Sequence, residues 1–403
     1  MKLLFISPHS SIPPRYGGQL RVHHLRRVAS SRFQVFGFAQ VAQRADLGLS
    51  FSPITKVVNP NYVEFATRNP LSLILFGLSS LRWNSPPFWQ SHLLHWFSPT
   101  WLKRKLEEVD IIHVESPYQF GWVYKQVGRR KPIVLGAPNV ETMLYSQEKI
   151  FACSPVARRI MRSIEVQEKF AMVYCDKVIA TSDLDAHQIQ DKYQINPERI
   201  VVVPNGVDCE KYSPAQIDER RKMKSRIGLA DKHVVIFSGS IHRPNIEAVE
   251  QILKWAERMV DDKIHFLIVG SVGKKFHNLV SSNISMTGFV DEIKPFLQAS
   301  DIAINPMISG SGTNLKQLEY MAMGLPCVTT GVGARGLPIE NGKQAYIVDL
   351  ERFPEKFAAL LADSEERCRL GQSARQWVVK KYDWNVIGKG LIGVYESLLA
   401  ADP

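Results

Sequence analysis

Cysteine is scarce in this chain: five residues of 403, Cys153, Cys175, Cys209, Cys327 and Cys368, scattered without a Cys-x-x-Cys pair. That spacing argues against a zinc ribbon or a disulfide framework and fits a reducing cytoplasm. Long apolar runs are missing too. The most apolar window, Leu71 to Leu81 (LSLILFGLSSL), has 11 residues, whereas about 20 are needed to span a bilayer. A signal peptide is not expected either, because MKLLFI runs straight into a Pro/Ser turn and leaves no room for an apolar region with a cleavage site. No nucleic-acid-binding motif appears.

What is present is ordinary for a folded chain, with 45% hydrophobic and 22% charged residues. Two domains are the natural expectation at this length. The charge is lopsided. Residues 1–205 carry 25 Lys+Arg against 15 Asp+Glu, and the remainder carry 25 against 24, within a total net charge of +11. The basic half is therefore expected to meet an anionic partner: a membrane surface, a lipid-linked phosphate or an acidic polymer.

Short apolar runs alternate with helical patterns along the whole chain. Strands are predicted at Lys2–Ile6, Phe33–Ala39, Asp110–Glu115, Lys131–Gly136, Lys177–Thr181 and Arg199–Val203. The loop after the first contains Gly17-Gly18, where backbone can approach a ligand closely, and a helix follows from about Gln19 to Ala29. His113 and Glu115 share one face at a strand end, and Asn139 and Glu141 follow the next strand. Ligands of open α/β sheets bind beyond such ends. Residues 59–106 interleave Trp83, Phe88, Trp89, Trp96, Phe97 and Trp101 with Arg82, His92, His95, Lys103, Arg104 and Lys105. Three readings fit this stretch: core residues of packed helices, an interfacial membrane contact, or a sugar-stacking surface.

Pro204-Asn205-Gly206-Val207-Asp208 is a turn-rich break, and a second alternation starts at His233. The domains are placed at 1–208 and 209–383, with 384–403 as a C-terminal helix that packs back on the first. The second half is organised around Asn305 to Thr330, NPMISGSGTNLKQLEYMAMGLPCVTT. Gly310, Ser311, Gly312, Thr313 and Asn314 form a tight loop ahead of a helix, and a glycine-rich loop at a helix N-terminus suits phosphate. Lys316 adds a cation. Glu319, three residues on, lies on nearly the same helix face and suits sugar hydroxyls. An ordinary surface pair is the plain alternative.

At this point a resemblance enters. The chain resembles the family 4 (group 1) glycosyltransferases of the GT-B fold over nearly its whole length. The segments that carry the likeness are SPHSSIPPRYGGQLRVHHL, CDKVIATSDLDAHQI, VVVPNGVDCEKYSP and SGSGTNLKQLEYMAMGLPCVTT. Within that family it is similar to a subset with Gly-x-Gly-Thr-x-x-Lys that acts in exopolysaccharide or cell-envelope assembly. The resemblance implies an α/β fold of two Rossmann-like doubly wound domains facing across a cleft. It implies a sugar moved from a nucleotide-sugar to a glycan or lipid-linked acceptor, with retention and without a metal or other cofactor. Its location would be cytoplasmic, peripheral on the membrane face.

The residues carried over are Lys316, Glu319, Ser311, Glu141 and His113 for catalysis. Gly17, Gly18, Gly239, Ser240, His242, Arg243, Gly270, Phe289, Val290, Gly310, Gly312, Thr313 and Asn314 join Lys316 and Glu319 around the donor. Glu115, Asn139, Trp83 and Trp89 lie on the acceptor side. Glu319 matches the second Glu of the family's Glu-x7-Glu signature, and Ser311 stands where the first is expected. His113-Val114-Glu115 replaces the usual His-x-His, and Pro138-Asn139 replaces His-Asn. A nucleotide-sugar epimerase or phosphorylase on this fold and a non-catalytic nucleotide- or glycan-binding homologue are the competing functions.

Overall fold

The computed structural model describes residues 1–14, 16–41, 53–67, 94–96, 98–146, 155–259, 263–276, 281–310 and 312–400. Trp83, Trp89 and Ser311 lie outside the described residues. The chain divides into two compact units, Met1–Pro204 with Ile387–Pro403, and Asn205–Val386.

The first unit is built on an eight-stranded sheet of order β3-β4-β2-β1-β5-β6-β7-β8. The strands are β1 (Lys2–His9), β2 (Gln34–Val41), β3 (Ile54–Asn59), β4 (Tyr62–Ala66), β5 (Ile111–Glu115), β6 (Ile133–Ala137), β7 (Lys177–Ala180) and β8 (Ile200–Val202). All neighbours are parallel except β3 and β4. The helices of this unit are α1 (Gly17–Ala29), α2 (Thr100–Glu108), α3 (Pro117–Val127), α4 (Glu141–Ser146), α5 (Pro155–Tyr174) and α6 (Asp183–Tyr193). Strands β5 and β6 are buried at every position. That is why they read as unbroken apolar runs, as strands covered on both faces do.

The second unit holds six parallel strands in the order β11-β10-β9-β12-β13-β14. They are β9 (His233–Ser238), β10 (Ile264–Val269), β11 (Ile284–Met286), β12 (Ile302–Asn305), β13 (Cys327–Thr329) and β14 (Tyr346–Ile347). Its helices are α7 (Ile217–Arg226), α8 (Arg243–Arg258), α9 (Lys294–Gln298), α10 (Leu315–Ala322), α11 (Phe353–Ala362) and α12 (Ser364–Lys381), and α13 (Trp384–Ala400) closes the chain. Beyond Ile387, α13 belongs to the first unit. There Tyr395 is fully buried against Phe33, with ring centroids 5.6 Å apart.

Two sequence expectations change. Residues 54–66 form an antiparallel edge hairpin, not the start of an aromatic stretch: Lys56 pairs with Glu64 across it. Its half-polar alternation hid it, because an edge strand is only half covered. The Gly17-Gly18 pair is not a loop but the first turn of α1. Of the aromatic cluster, Trp101 is a packing residue, its ring 3.7 Å from Phe65 and 6.2 Å from Phe38 between centroids. Trp96 is 70% exposed.

Candidate functional site

In a doubly wound sheet the chain leaves the central strands toward opposite edges, and a crevice opens beyond their C-terminal ends. In the second unit β9 is central, flanked by β10 and β12, so the switch point lies between β9 and β12. The segments leaving those two strands are Ser238 to Asn245 and Asn305 to Lys316.

Helix α10 is short and amphipathic. It buries Gln317, Leu318, Tyr320, Met321 and Ala322, each apolar side chain contributing about 1.5–3 kcal/mol. Gly324, at φ 66°, follows its C-cap and turns the chain toward β13. The buried Tyr320 hydroxyl accepts from Ser238 N–H at 2.7 Å, fixing the end of β9. Lys316 and Glu319 fall on the other face, half-buried. Lys316 Nζ donates to Asn245 Oδ1 at 2.6 Å, lies 3.8 Å from Met307 Sδ and sits 4.2 Å from the centre of the Phe237 ring. Among the described residues no carboxylate lies within ion-pair distance of that ammonium. Desolvation pushes the Lys316 ammonium down to about 7, with Glu319 opposing. Desolvation likewise pushes the Glu319 carboxyl up to about 7, against Lys211, a hydrogen bond from Tyr212, and Lys316.

Gly310 and Gly312 take φ values of 134° and 66°, a region that disfavours side chains. Among the described residues the buried Thr313 hydroxyl has no hydrogen-bond partner. Asn314 Nδ2 reaches Val332 O at 3.4 Å, and Arg335 Nη1 reaches Gly310 O at 3.5 Å.

The facing segment is shaped by close approaches. A Cβ on Gly239 would lie 2.8 Å from Asn245 Cγ, and one on Gly270 would lie 2.4 Å from Gly239 O. Gly270 also bridges to Gly288. Asn245 Nδ2 donates to Ser240 O at 2.9 Å. His242 occupies the N-cap position of α8 without a side-chain capping bond, and Arg243 is paired with Glu247 at 2.8 Å, with Ser309 donating to the same carboxylate. Phe289 is exposed and Val290 packs on the core. The structure therefore brings Gly239, Ser240, Gly270, Gly310, Gly312, Thr313 and Lys316 to one crevice. Asn245 and Tyr320 were not singled out from sequence. Their signal was thin: an Asn behind Pro244 in a first helical turn, and one more aromatic on a helix.

The remaining candidates lie in the first unit. Gly17 and Gly18 open α1, with Gly18 exposed. His113 is fully buried, stacked on Phe5 at 4.0 Å, with Nε2 on Glu115 Oε2 at 2.8 Å and Nδ1 on Tyr395 Oη at 2.6 Å. Both ring nitrogens are thus engaged within the fold. Glu115 pairs with Arg21 Nε at 2.9 Å. Glu141 is buried and accepts from Tyr118 Oη at 2.8 Å. Burial raises its carboxyl to about 7, opposed by the bonds from Tyr118 and the half-buried Asn139. The Glu141 N–H donates to Glu168 at 2.7 Å, which anchors the start of α4. Asp183-Leu184-Asp185 spells an Asp-x-Asp tripeptide, a signature of metal-dependent transferases of another fold. Here Thr181 and Ser182 hydroxyls each donate to Asp185 Oδ2 at 2.7 Å, and Ser182 Oγ caps α6 by accepting from Asp185 N–H, so this carboxylate is tied into the helix start. Among the described residues no cluster of three His, Cys, Asp or Glu could hold a metal ion.

Comparison with known proteins finds glycosyltransferase domain models in both halves of the chain. The model described as Glycosyltransferase Family 4 matches residues 63–211, and that described as Glycosyl transferases group 1 matches residues 232–363. Each half of the chain is thus similar to a glycosyltransferase domain. Spore coat protein SA of Bacillus subtilis is 23% identical over 318 residues, 73% of this chain and 80% of that protein. The UDP-Gal:alpha-D-GlcNAc-diphosphoundecaprenol alpha-1,3-galactosyltransferase of Escherichia coli is 23% identical over 279 residues, 65% of this chain and 68% of that one. Among solved structures, Anabaena HepE in complex with UDP superposes with a TM-score of 0.71 at 14% identity, covering 98% of this chain and 100% of that one. Sucrose-phosphate synthase from Thermosynechococcus elongatus gives 0.72 at 16%, covering 100% of both. The fold of these glycosyltransferase domains is GT-B, two Rossmann-like α/β units.

Proposed function

We propose that the chain transfers a sugar from a nucleotide-sugar to a glycan or lipid-linked acceptor, with the donor on the second unit and the acceptor against the first. One observation carries this reading: a half-buried Lys316 ammonium at the switch point of the second sheet with no carboxylate at ion-pair distance among the described residues. A ligand phosphate supplies the missing charge. The glycine loop and the Thr313 hydroxyl above it, unpartnered among the described residues, support the same ligand. One relative's printed activity, galactosyl transfer from UDP-Gal to an alpha-D-GlcNAc-diphosphoundecaprenol, supports a lipid-linked acceptor.

The chemistry follows from charge. Departure of a nucleoside diphosphate builds negative charge on its oxygens, and Lys316 with the amides at the head of α10 stabilises it. Glu319 accepts from ribose hydroxyls, with Tyr212 fixing its carboxyl. Those groups supply the positive charge a metal would otherwise bring, and the sugar is transferred with retention. Glu141 holds a proton near neutral pH in the first unit, which suits acid/base work on the acceptor side. His113 serves there by holding Glu115. Incubation with UDP-glucose, UDP-galactose and GDP-mannose, followed by NMR, tests the proposal. Slow release of nucleoside diphosphate with a retained anomer is expected, unchanged by EDTA. Clean epimer formation with the nucleotide intact would assign an epimerase instead, and tight binding without turnover a non-catalytic homologue.

An anionic membrane surface is part of this proposal. Helix α5 exposes Arg158, Arg159, Arg162 and Lys169 beside Val166 and Val173, which are 67% and 43% exposed. A groove of about 490 Å³ lined by Tyr118, Trp122, Arg162 and Phe170 runs along it. Among the described residues no helix is long and apolar enough to cross a membrane. The protein is expected to sediment with phosphatidylglycerol vesicles at low salt, where attraction is strongest, and Arg158→Glu with Arg162→Glu to abolish this. Equal sedimentation of wild type and variant would remove α5 as the contact.

A further inference from the structure

Asn245 stands between the two segments of the donor crevice and is nearly buried. Its carbonyl takes the Lys316 ammonium at 2.6 Å and its amide holds Ser240 O at 2.9 Å. Glycine at 239 leaves room for this, since a Cβ there would collide with the Asn245 side chain. An amide at this position orients the ammonium without cancelling its charge. A carboxylate of the same shape would form an ion pair and leave an incoming phosphate to compete with it.

We propose that Asn245 is a positioning residue for the diphosphate of the donor, one that aims the Lys316 ammonium while leaving its charge for the ligand to neutralise. This rests on the nucleotide-site reading above. The charged and titratable groups around Lys316 are few. Glu319 shares its helix, Lys211 and Tyr212 act on Glu319, and Arg243 is occupied with Glu247 on α8. Phe237 from β9 and Met307 after β12 contribute no charge. Burial already weakens the hold of Lys316 on its proton, so binding of an anion draws a proton onto the amine as pH rises past neutrality.

The test is calorimetric titration with UDP between pH 7 and 9 on Asn245→Asp, Asn245→Ala and Lys316→Ala, with thermal unfolding as the check on folding. Both substitutions at 245 lose the bond to Ser240 O, and only aspartate adds an anion, so their difference reads the charge. Alanine is expected to weaken UDP binding about threefold and aspartate about 30-fold. The wild type is expected to lose affinity with rising pH, and this fall should flatten in Asn245→Asp, because the carboxylate keeps the ammonium protonated. Met307→Glu brings a carboxylate to the same ammonium from another side and should reproduce the aspartate result if Asn245→Asp fails to fold. Equal affinities and equal pH profiles in the Asp and Ala variants would overturn the role of Asn245. Unchanged UDP binding in Lys316→Ala would overturn the nucleotide site itself.

Discussion

Replacing Lys316 by methionine is expected to raise thermal stability while weakening nucleoside-diphosphate binding about 10- to 100-fold. The loss follows from the size of a charge-assisted hydrogen bond, about 1.5–3 kcal/mol, at about 1.4 kcal/mol per tenfold. The gain follows from proton linkage. Burial holds the Lys316 amine at about 7 in the fold, below its ordinary 10.5. Between those pH values the unfolded chain binds more protons, so stability rises with pH across that window, and at pH 7 and below the buried cation is a net cost. Methionine fills the space beside Phe237 and Met307 without that cost. Glu319 runs the other way: its carboxyl, raised from 4.5 to about 7, makes stability fall as pH climbs through that interval. Glu319→Gln should remove this fall and also weaken nucleotide binding. Scanning calorimetry at pH 7.5 beside titration with UDP reads both effects. A Lys316→Met protein that melts lower and binds UDP as before would show the ammonium to be structural.

Strand and helix order was legible because fully covered parallel strands read as solid apolar runs. His233 to Phe237 and Ile302 to Asn305 are such runs, buried almost throughout. The β3–β4 hairpin was not, since its alternating Lys56, Glu64 and Asn59 look like loop chemistry until a sheet edge is known to be there. Buried polar partnerships were the least visible. Arg26, fully buried, donates to Glu64 at 2.6 Å, and Ser10 and Ser11 donate to the same carboxylate. These are contacts across 38 to 54 residues of chain, and no local spacing announces them. Asn245 is hidden for the same reason, being 71 residues from Lys316. Lys316 and Glu319 could be paired from sequence because one helix carries both. What each touches came only from the packing: Asn245, Phe237 and Met307 around Lys316, and Tyr212 and Lys211 around Glu319.

Glu115→Ala is expected to destabilise the first unit by about 3–5 kcal/mol, the cost of stranding one partner of a buried ion pair. Arg21, 2% exposed, would then keep the neutral carbonyls of Val203 and Pro204 at 3.0 and 3.3 Å but lose its carboxylate partner. His113 would lose its Nε2 partner at the same stroke. Gly136→Ala attacks the same point from β6, since its Cβ would fall 2.0 Å from Glu115 Oε2 with strands on both sides. It should destabilise comparably without removing any charged group. Burial alone would raise the Glu115 carboxyl, but Arg21 and His113 outweigh it and hold it at about 2. Its stabilising contribution is therefore whole above about 4.5 and lost as pH falls toward 2. His113 adds to the acid loss, because burial lowers its affinity for a proton in the fold and the unfolded chain takes that proton up below about 6.5. Urea unfolding at pH 7 and pH 4 separates the variants. The wild type should lose stability between these values chiefly through His113, and Glu115→Ala at least as much, because the carboxylate that supports protonation of His113 is gone, while the carboxylate's own share is lost only below about pH 4.5. An alanine variant as stable as wild type at pH 7 would mean that Arg21 is solvated in solution and that the Arg21–Glu115–His113 chain does not tie β5 to α13.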